Sequence, residues 1–253
     1  MSQGNFVWYE LSTTDVAGAV KFYGNVVGWE TEKFPGPESA YWIWKNGEKG
    51  IGGLMALTEQ SKAVSATPNW LAYVNVGDVD AITKKAVALG AKTCLEPHDI
   101  PTVGRISVFA DPQGAVLAVI KPEGADQPPP EGPVAGEVVW RELLANDAPA
   151  EVRFYGDLFG WKQTQSFEMG PNGTYHIYGK DGRDFGGMMN RPADYPRAPH
   201  WLYYVHVADL DAALERVKRG GGKVWMGPMP IPSGDRVAQC TDPQMATFAL
   251  HGK

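Results

Sequence analysis

The chain has 253 residues, of which 43% are apolar and 21% charged, and it carries a net charge of -6. That acidic balance disfavours nucleic acid, whose phosphates require a basic face, and disfavours an anionic membrane surface. The length allows two globular domains of about 120 residues each.

The opening residues, Met1 to Asn5, show neither the basic nor the apolar part of a signal peptide. The first strand is expected over Phe6 to Leu11. Asp15 is a natural helix cap, and Val16, Ala19, Val20, Tyr23, Val26 and Val27 follow helical spacing until Gly28. Short strands follow at Tyr41 to Lys45 and Ile51 to Leu57, around a turn at Asn46-Gly47. A second unit then repeats the plan. Its strand is Trp70 to Val76, and its helix runs from Asp78 to Leu89, stopped by Gly90. Strands near Lys92 to Leu95, Arg105 to Ala110 and Ala115 to Ile120 complete it. The last of these is the longest kind of apolar run in the chain and is far too short to span a bilayer. Residues 123–133, with three consecutive prolines, suggest an extended linker. Beyond it the same order returns, ending with strands at Arg236 to Thr241 and Ala246 to His251.

The return is literal. Trp8, Glu10, Asp15, Phe22-Tyr23 and Gly28-Trp29 reappear as Trp140, Glu142, Asp147, Phe154-Tyr155 and Gly160-Trp161, each 132 positions later. Gly52-Gly53 reappears as Gly186-Gly187, Trp70-Leu71 as Trp201-Leu202, Arg105 as Arg236, and Asp111-Pro112-Gln113 as Asp242-Pro243-Gln244. Anchors in one order with little drift mean a tandem duplication. The expected domains are residues 1–122 and 134–253, each a pair of β-α-β-β-(β) units of the α+β class, with curled, antiparallel-rich sheets. Duplication also sorts residues. One kept in both copies answers a demand common to both, and one found in a single copy is free to be special. Cys94 and Cys240 are not repeat mates, and they read as thiols in a reducing cytoplasm.

The series Asp15…Phe22-Tyr23…Gly28-Trp29, then Val76-Gly77-Asp78-Val79-Asp80-Ala81, then Asp111-Pro112-Gln113-Gly114, present once per half, resembles the vicinal oxygen chelate superfamily of glyoxalase I, bleomycin-resistance proteins and extradiol dioxygenases. The Trp-x-Glu-Leu strand and Ile100-Pro101-Thr102-Val103-Gly104-Arg105 resemble, more narrowly, its tandem members in the mycobacterial 27 kDa antigen and hydroxylase group. The resemblance implies a concave strand face that binds a small molecule, often on a divalent metal. The positions that hold the metal in that superfamily correspond here to Trp8 and Trp140, Leu71 and Leu202, the Leu54-Met55 and Met188-Met189 pairs, and Ala118 and Ala249. None offers oxygen or imidazole to a hard cation. The expectation is therefore no metal and no cofactor.

The residues that take those places suggest an aromatic, mostly apolar cleft or a filled core. Strand alternation puts Phe6, Trp8 and Glu10 on one face, as it does Val138, Trp140 and Glu142. Candidate ligand-binding residues are Trp8, Trp140, Tyr73, Tyr204, Arg105 and Arg236. Candidate acid-base residues are Glu10, Glu142, His176 and His206. The two glutamates can also be read as partners of Arg105 and Arg236 in buried ion pairs, since all four recur. His176 and His206 face Trp42 and Asn75 in the other copy, which makes the second half the place for proton chemistry near neutral pH. Three functions are open. One is a metal-independent enzyme of lyase or isomerase type acting on a small hydrophobic or aromatic molecule. The second is a protein that sequesters such a molecule, and the third is a metal-dependent glyoxalase-like or dioxygenase-like enzyme. The expected partner is a small molecule, with no nucleic acid and no membrane. The protein is expected in the cytoplasm, as a monomer or homodimer.

Overall fold

A computed structural model of the protein describes residues 3–35, 40–58, 67–124, 132–170, 173–192, 195 and 197–253. Most of the expected proline linker lies outside these residues. In chain order the first copy is β1 (Phe6–Thr13), α1 (Val16–Val27), β2 (Glu30–Lys33), β3 (Tyr41–Asn46), β4 (Lys49–Ala56), β5 (Asn69–Asn75), α2 (Val79–Ala88), β6 (Lys92–Ile100), β7 (Gly104–Ala110) and β8 (Val116–Pro122). The second copy is β9 (Val138–Ala145), α3 (Ala148–Phe159), β10 (Lys162–Glu168), β11 (Thr174–Lys180), β12 (Arg183–Asn190), β13 (His200–His206), α4 (Leu210–Arg219), β14 (Lys223–Pro230), β15 (Arg236–Thr241) and β16 (Thr247–Gly252).

Two eight-stranded sheets result, with orders β2-β3-β4-β1-β5-β8-β7-β6 and β10-β11-β12-β9-β13-β16-β15-β14. Neither closes into a barrel. Each is mixed: β1 pairs β4 and β5 pairs β8 in parallel, whereas the hairpins are antiparallel. The strands β2 and β10 were not expected from the sequence. Both are solvent-facing and polar, so neither carries an apolar alternation.

The duplicated anchors are local punctuation. Asp15, Asp78, Asp147 and Asp209 each cap a helix by accepting the backbone N–H three residues on. Gly28 and Gly160 end α1 and α3 in the left-handed region, at φ 83° and 74°. In α4 the buried residues Leu210, Ala213, Leu214 and Val217 recur at one-turn spacing, which seats that face in the core.

Compactness follows a different division from the repeat. One unit comprises Met1–Val7, Ala72–Pro129 and Trp140–Trp201, and the other Trp8–Leu71, Pro130–Val139 and Leu202–Lys253. Each unit thus joins half of copy one to half of copy two. In the second unit Tyr23 sits among Trp29, Trp44, Trp70 and Phe248, with ring centroids 5.3–5.8 Å away. Its hydroxyl donates to Asp242 Oδ2 at 3.1 Å and accepts from Trp70 Nε1 at 3.0 Å. In the first unit Tyr155 repeats the arrangement, donating to Asp111 Oδ2 at 2.9 Å and accepting from Trp201 Nε1 at 3.2 Å. Each aspartate also holds its own Asp-Pro turn, Asp111 Oδ1 accepting from the amides of Gln113 and Ala115, and Asp242 Oδ1 from those of Gln244 and Ala246. Burial raises both carboxyls above the ordinary aspartate range, and the hydrogen bonds they accept oppose it.

The first unit buries one more carboxyl. Glu151 is 1% exposed, its Oε2 accepts no hydrogen bond, and its place in copy one is Ala19. Burial, then the charge of Asp111, pushes its carboxyl up to about 8.

Candidate functional site

Along β1, Trp8 and Glu10 share a face, while Leu11 turns into the core. Tyr41, at the start of β3, reaches the same face. Its hydroxyl accepts from Trp8 Nε1 at 3.0 Å and donates to Glu10 Oε2 at 2.8 Å. Copy two builds the same chain on β9 and β11. Trp140 Nε1 donates to the Tyr175 hydroxyl at 2.8 Å, and that hydroxyl donates to Glu142 Oε2 at 2.9 Å.

The duplicated glycine pair makes room for this chain. Glu10 lies beside Gly53 in the parallel register of β1 and β4, and Glu142 beside Gly187 in that of β9 and β12. A Cβ on Gly53 would overlap the Tyr41 hydroxyl, and one on Gly187 would overlap the Tyr175 ring. Glu142 is 6% exposed and Glu10 half-buried. A carboxylate in such a place is costly unless hydrogen-bonded, and the tyrosine supplies the donor. Burial, then the charge of Glu10, keeps Tyr41 protonated far above the ordinary phenol range.

The expected ion pairs of Glu10 and Glu142 with the two arginines do not form. Arg105 donates to both oxygens of Asp80, at 2.6 and 2.8 Å, and to Asp99 at 3.1 Å. Arg236 donates to both oxygens of Asp211, at 3.1 and 2.9 Å. These are surface pairs, with the aspartate side chains more than half exposed. The arginines recur because the acidic residue in the first turn of the neighbouring helix recurs, two places after its cap. Phe6 has aromatic partners of its own. In its unit it packs against Trp161, Phe185 and Trp201, with Arg141 over its ring.

The remaining candidates divide. Tyr73 is buried, as is Tyr204, whose hydroxyl accepts from Gln239 Nε2 at 2.8 Å. His176 neighbours Tyr175, so alternation turns it to the opposite face. It is bonded there through Nδ1 to Gln163 at 3.0 Å. His206 is half-buried, with Nδ1 2.9 Å from Nδ1 of His251, and His251 Nε2 lies 3.3 Å from Asp235 Oδ2. His200 is stacked on Tyr195, and burial lowers its pKa, so its ring stays neutral.

Sequence reasoning missed Tyr41 and Tyr175, although they stand at the same offset of 134 as the glycine pairs. It noted His251 but had no means of setting it beside His206, which needs the parallel register of β13 and β16. A cleft of about 520 Å³ lies elsewhere, where Leu89, Gln113, Asp147, Glu151 and Phe154 meet.

The superfamily's metal positions can be tested against these side chains. Leu54, Met188, Leu202, Ala118 and Ala249 are fully buried and carry no hard donor. Among the described residues, no group of three or more His, Cys, Asp or Glu side chains is placed to hold a metal ion. The residues present do not fit the superfamily's metal. Also among the described residues, no helix is long and apolar enough to cross a membrane.

Two glyoxalase-type folds in tandem define the class, and comparison with known proteins agrees. The sequence model of the Glyoxalase/Bleomycin resistance protein/Dioxygenase superfamily matches residues 5–119 and 137–250. The chain belongs to that superfamily. It is 30% identical to CFP32 of Mycobacterium tuberculosis (strain CDC 1551 / Oshkosh), provisionally named a glyoxylase, over 98% of this chain and 94% of that protein. It is 28% identical to the anthracycline biosynthesis protein DauV of Streptomyces sp. (strain C5), over 96% of this chain and 91% of that one. Among solved structures, the Mn(II)-bound glyoxalase from Novosphingobium aromaticivorans superposes with a TM-score of 0.67 at 17% identity, covering 100% of this chain and 83% of that one. The 2,3-dioxygenase LapB from Pseudomonas sp. KL28 superposes with a TM-score of 0.67 at 11% identity, covering 100% and 94%. At these identities the likeness is one of fold.

Proposed function

We propose that this protein binds a small, aromatic or partly hydrophobic organic molecule on the strand faces that carry Trp8, Tyr41 and Glu10 in one copy and Trp140, Tyr175 and Glu142 in the other, and that it does so without a metal. The observation that carries this reading is the Trp–Tyr–Glu chain itself, built twice and provided with a glycine each time. An indole offers a flat surface for an aromatic ring. A carboxylate oriented by a tyrosine offers a directed acceptor for a ligand hydroxyl or amine. Leucine, methionine and alanine at the superfamily's metal positions support metal independence, because they leave the scaffold's inner strands apolar. A relative named for anthracycline biosynthesis supports an aromatic ligand. Any chemistry at these faces is proton transfer, with Glu10, Glu142 or His206 as the base. His176, turned to the other face, takes no part. A protein that binds without turnover would use the same contacts.

Fluorescence titration against phenols, quinones and small ketones, with EDTA present, tests the reading. Ligands should bind with micromolar affinity, and Trp140→Ala, Glu142→Gln or their copy-one counterparts should weaken binding by about tenfold or more, equivalent to about 1.4 kcal/mol. Binding that disappears with EDTA and returns with Mn(II) overturns it.

A further inference from the structure

The only two histidines in mutual contact among the described residues lie in copy two, and the acid that completes their chain lies there too. Copy one has Asn75 in place of His206, Ile120 in place of His251 and Gly104 in place of Asp235. The scaffold therefore does not require this group, since the same strands form without it. We propose that Asp235, His251 and His206 form a proton relay that makes His206 a general base in the unit that also carries Trp8, Tyr41 and Glu10, acting on a carbon acid next to a carbonyl. The proposal rests on the binding reading above, because it needs a small organic molecule at the strand face.

The relay follows from one hydrogen bond, between the two rings, and one ion-pair contact, between His251 and Asp235. A carboxylate can only accept, so Asp235, 3.3 Å away, favours the proton of His251 on Nε2. A neutral His251 then presents a bare Nδ1. Burial lowers the pKa of His251, ahead of the opposing charge of Asp235, and so keeps the ring neutral. At 2.9 Å, the Nδ1 of His206 must donate to it. A neutral His206 with its proton on Nδ1 leaves Nε2 as the lone pair. One acid thereby fixes the tautomer of two rings.

The strand geometry turns His206 away from the core. Val205 and Val207 enter the core, so Tyr204 and His206 share the other face of the strand. His251 faces His206 directly in the parallel register, and Ala249, two residues before it, keeps that face shallow. His251 is 8% exposed, while His206 is half-buried, so the inner ring is protected and the outer one is reachable. Among the described residues, the titratable side chains in contact with His251 are His206 and Asp235.

In the reaction, His206 Nε2 takes a proton from the carbon, and the C–H electron pair stays on the substrate as an enolate. His206 Nδ1–H strengthens its bond to His251, whose Nε2–H leans on Asp235, spreading the positive charge. Returning the proton to the same carbon gives exchange, and returning it to a neighbouring carbon gives an isomer. No oxidant or reductant is consumed. His206 is the catalytic residue, while His251 and Asp235 are positioning residues.

The test is deuterium wash-in from D₂O, followed by NMR, for a panel of small ketones and 1,2-dicarbonyl compounds with EDTA present. Wild type should catalyse exchange at the carbon next to the carbonyl, and His206→Gln should lose at least about 100-fold. Asp235→Asn and His251→Asn should lower kcat by about 10- to 100-fold, leave KM unchanged and shift the pH profile. Long-range ¹H–¹⁵N NMR should show His206 with its proton on Nδ1 in wild type and a changed tautomer in Asp235→Asn. Compounds that bind by fluorescence but never exchange, or exchange undiminished in His206→Gln, overturn the relay and leave the binding reading standing. If no compound binds, the binding reading fails, and the tautomer of His206 alone decides the relay. A proton on Nε2 of His206 overturns it.

Discussion

Replacing Glu151 with glutamine removes an ionisable group from a buried acidic site while keeping its shape and a hydrogen-bond donor. The carboxyl is 1% exposed, its Oε2 has no partner, and burial beside Asp111 holds it near 8 against an ordinary 4.5. The sign follows from linkage. The folded state keeps this proton to higher pH than the unfolded chain, so the associated stability is fully present below pH 4.5 and is lost as pH rises through about 8. At about 1.4 kcal/mol for each pH unit of separation, the loss approaches roughly 3 kcal/mol at pH 7 and about 5 kcal/mol as a ceiling above pH 8. Glu151→Gln escapes this loss, because an amide is neutral at every pH. Urea unfolding at pH 5, 7 and 9 measures it. The variant should match wild type within about 1 kcal/mol at pH 5 and exceed it by a margin that widens toward pH 9. A difference that stays constant with pH, or that favours wild type at pH 9, would refute the reasoning.

Tyr23→Phe and Tyr155→Phe each strip the buried aspartate of its tyrosine and leave an indole N–H without an acceptor, so each should cost about 1–3 kcal/mol in chemical denaturation. Gly53→Ala and Gly187→Ala should push Tyr41 and Tyr175 off their glutamates and weaken ligand binding by titration, with the fold retained by circular dichroism. Arg105→Ala and Arg236→Ala should leave the melting temperature unchanged within error, because their partners are exposed aspartates and not the inward glutamates.

What was legible in the sequence is what is local. A capping aspartate, a left-handed glycine and an apolar stripe act within a few residues, so Asp15, Gly28 and α1 could be read directly. The strands β2 and β10 could not, because their stability comes from pairing with β3 and β11 and not from their own polar residues. The glutamates were singled out as inward carboxylates needing a partner, and each accepts a hydrogen bond from a tyrosine. The partner was misassigned because recurrence alone cannot separate Arg105, which answers to Asp80, from Tyr41, which answers to Glu10. The His206–His251 contact depends on the register of two strands separated by a helix and a hairpin, which single-sequence patterns do not encode.

The reciprocal tyrosine bolts have a consequence for the chain as a polymer. Tyr23 belongs to the first copy but donates to Asp242 of the second, and Tyr155 of the second donates to Asp111 of the first. A cut between residues 124 and 132 would produce two fragments, each holding a tyrosine whose acceptor is on the other. Neither fragment could complete either unit. The peptide between the copies therefore sets an effective concentration, commonly millimolar for a short tether, at which the two halves meet. Severed halves mixed at micromolar concentration should refold together with a midpoint that depends on dilution, whereas the intact chain should unfold independently of its concentration.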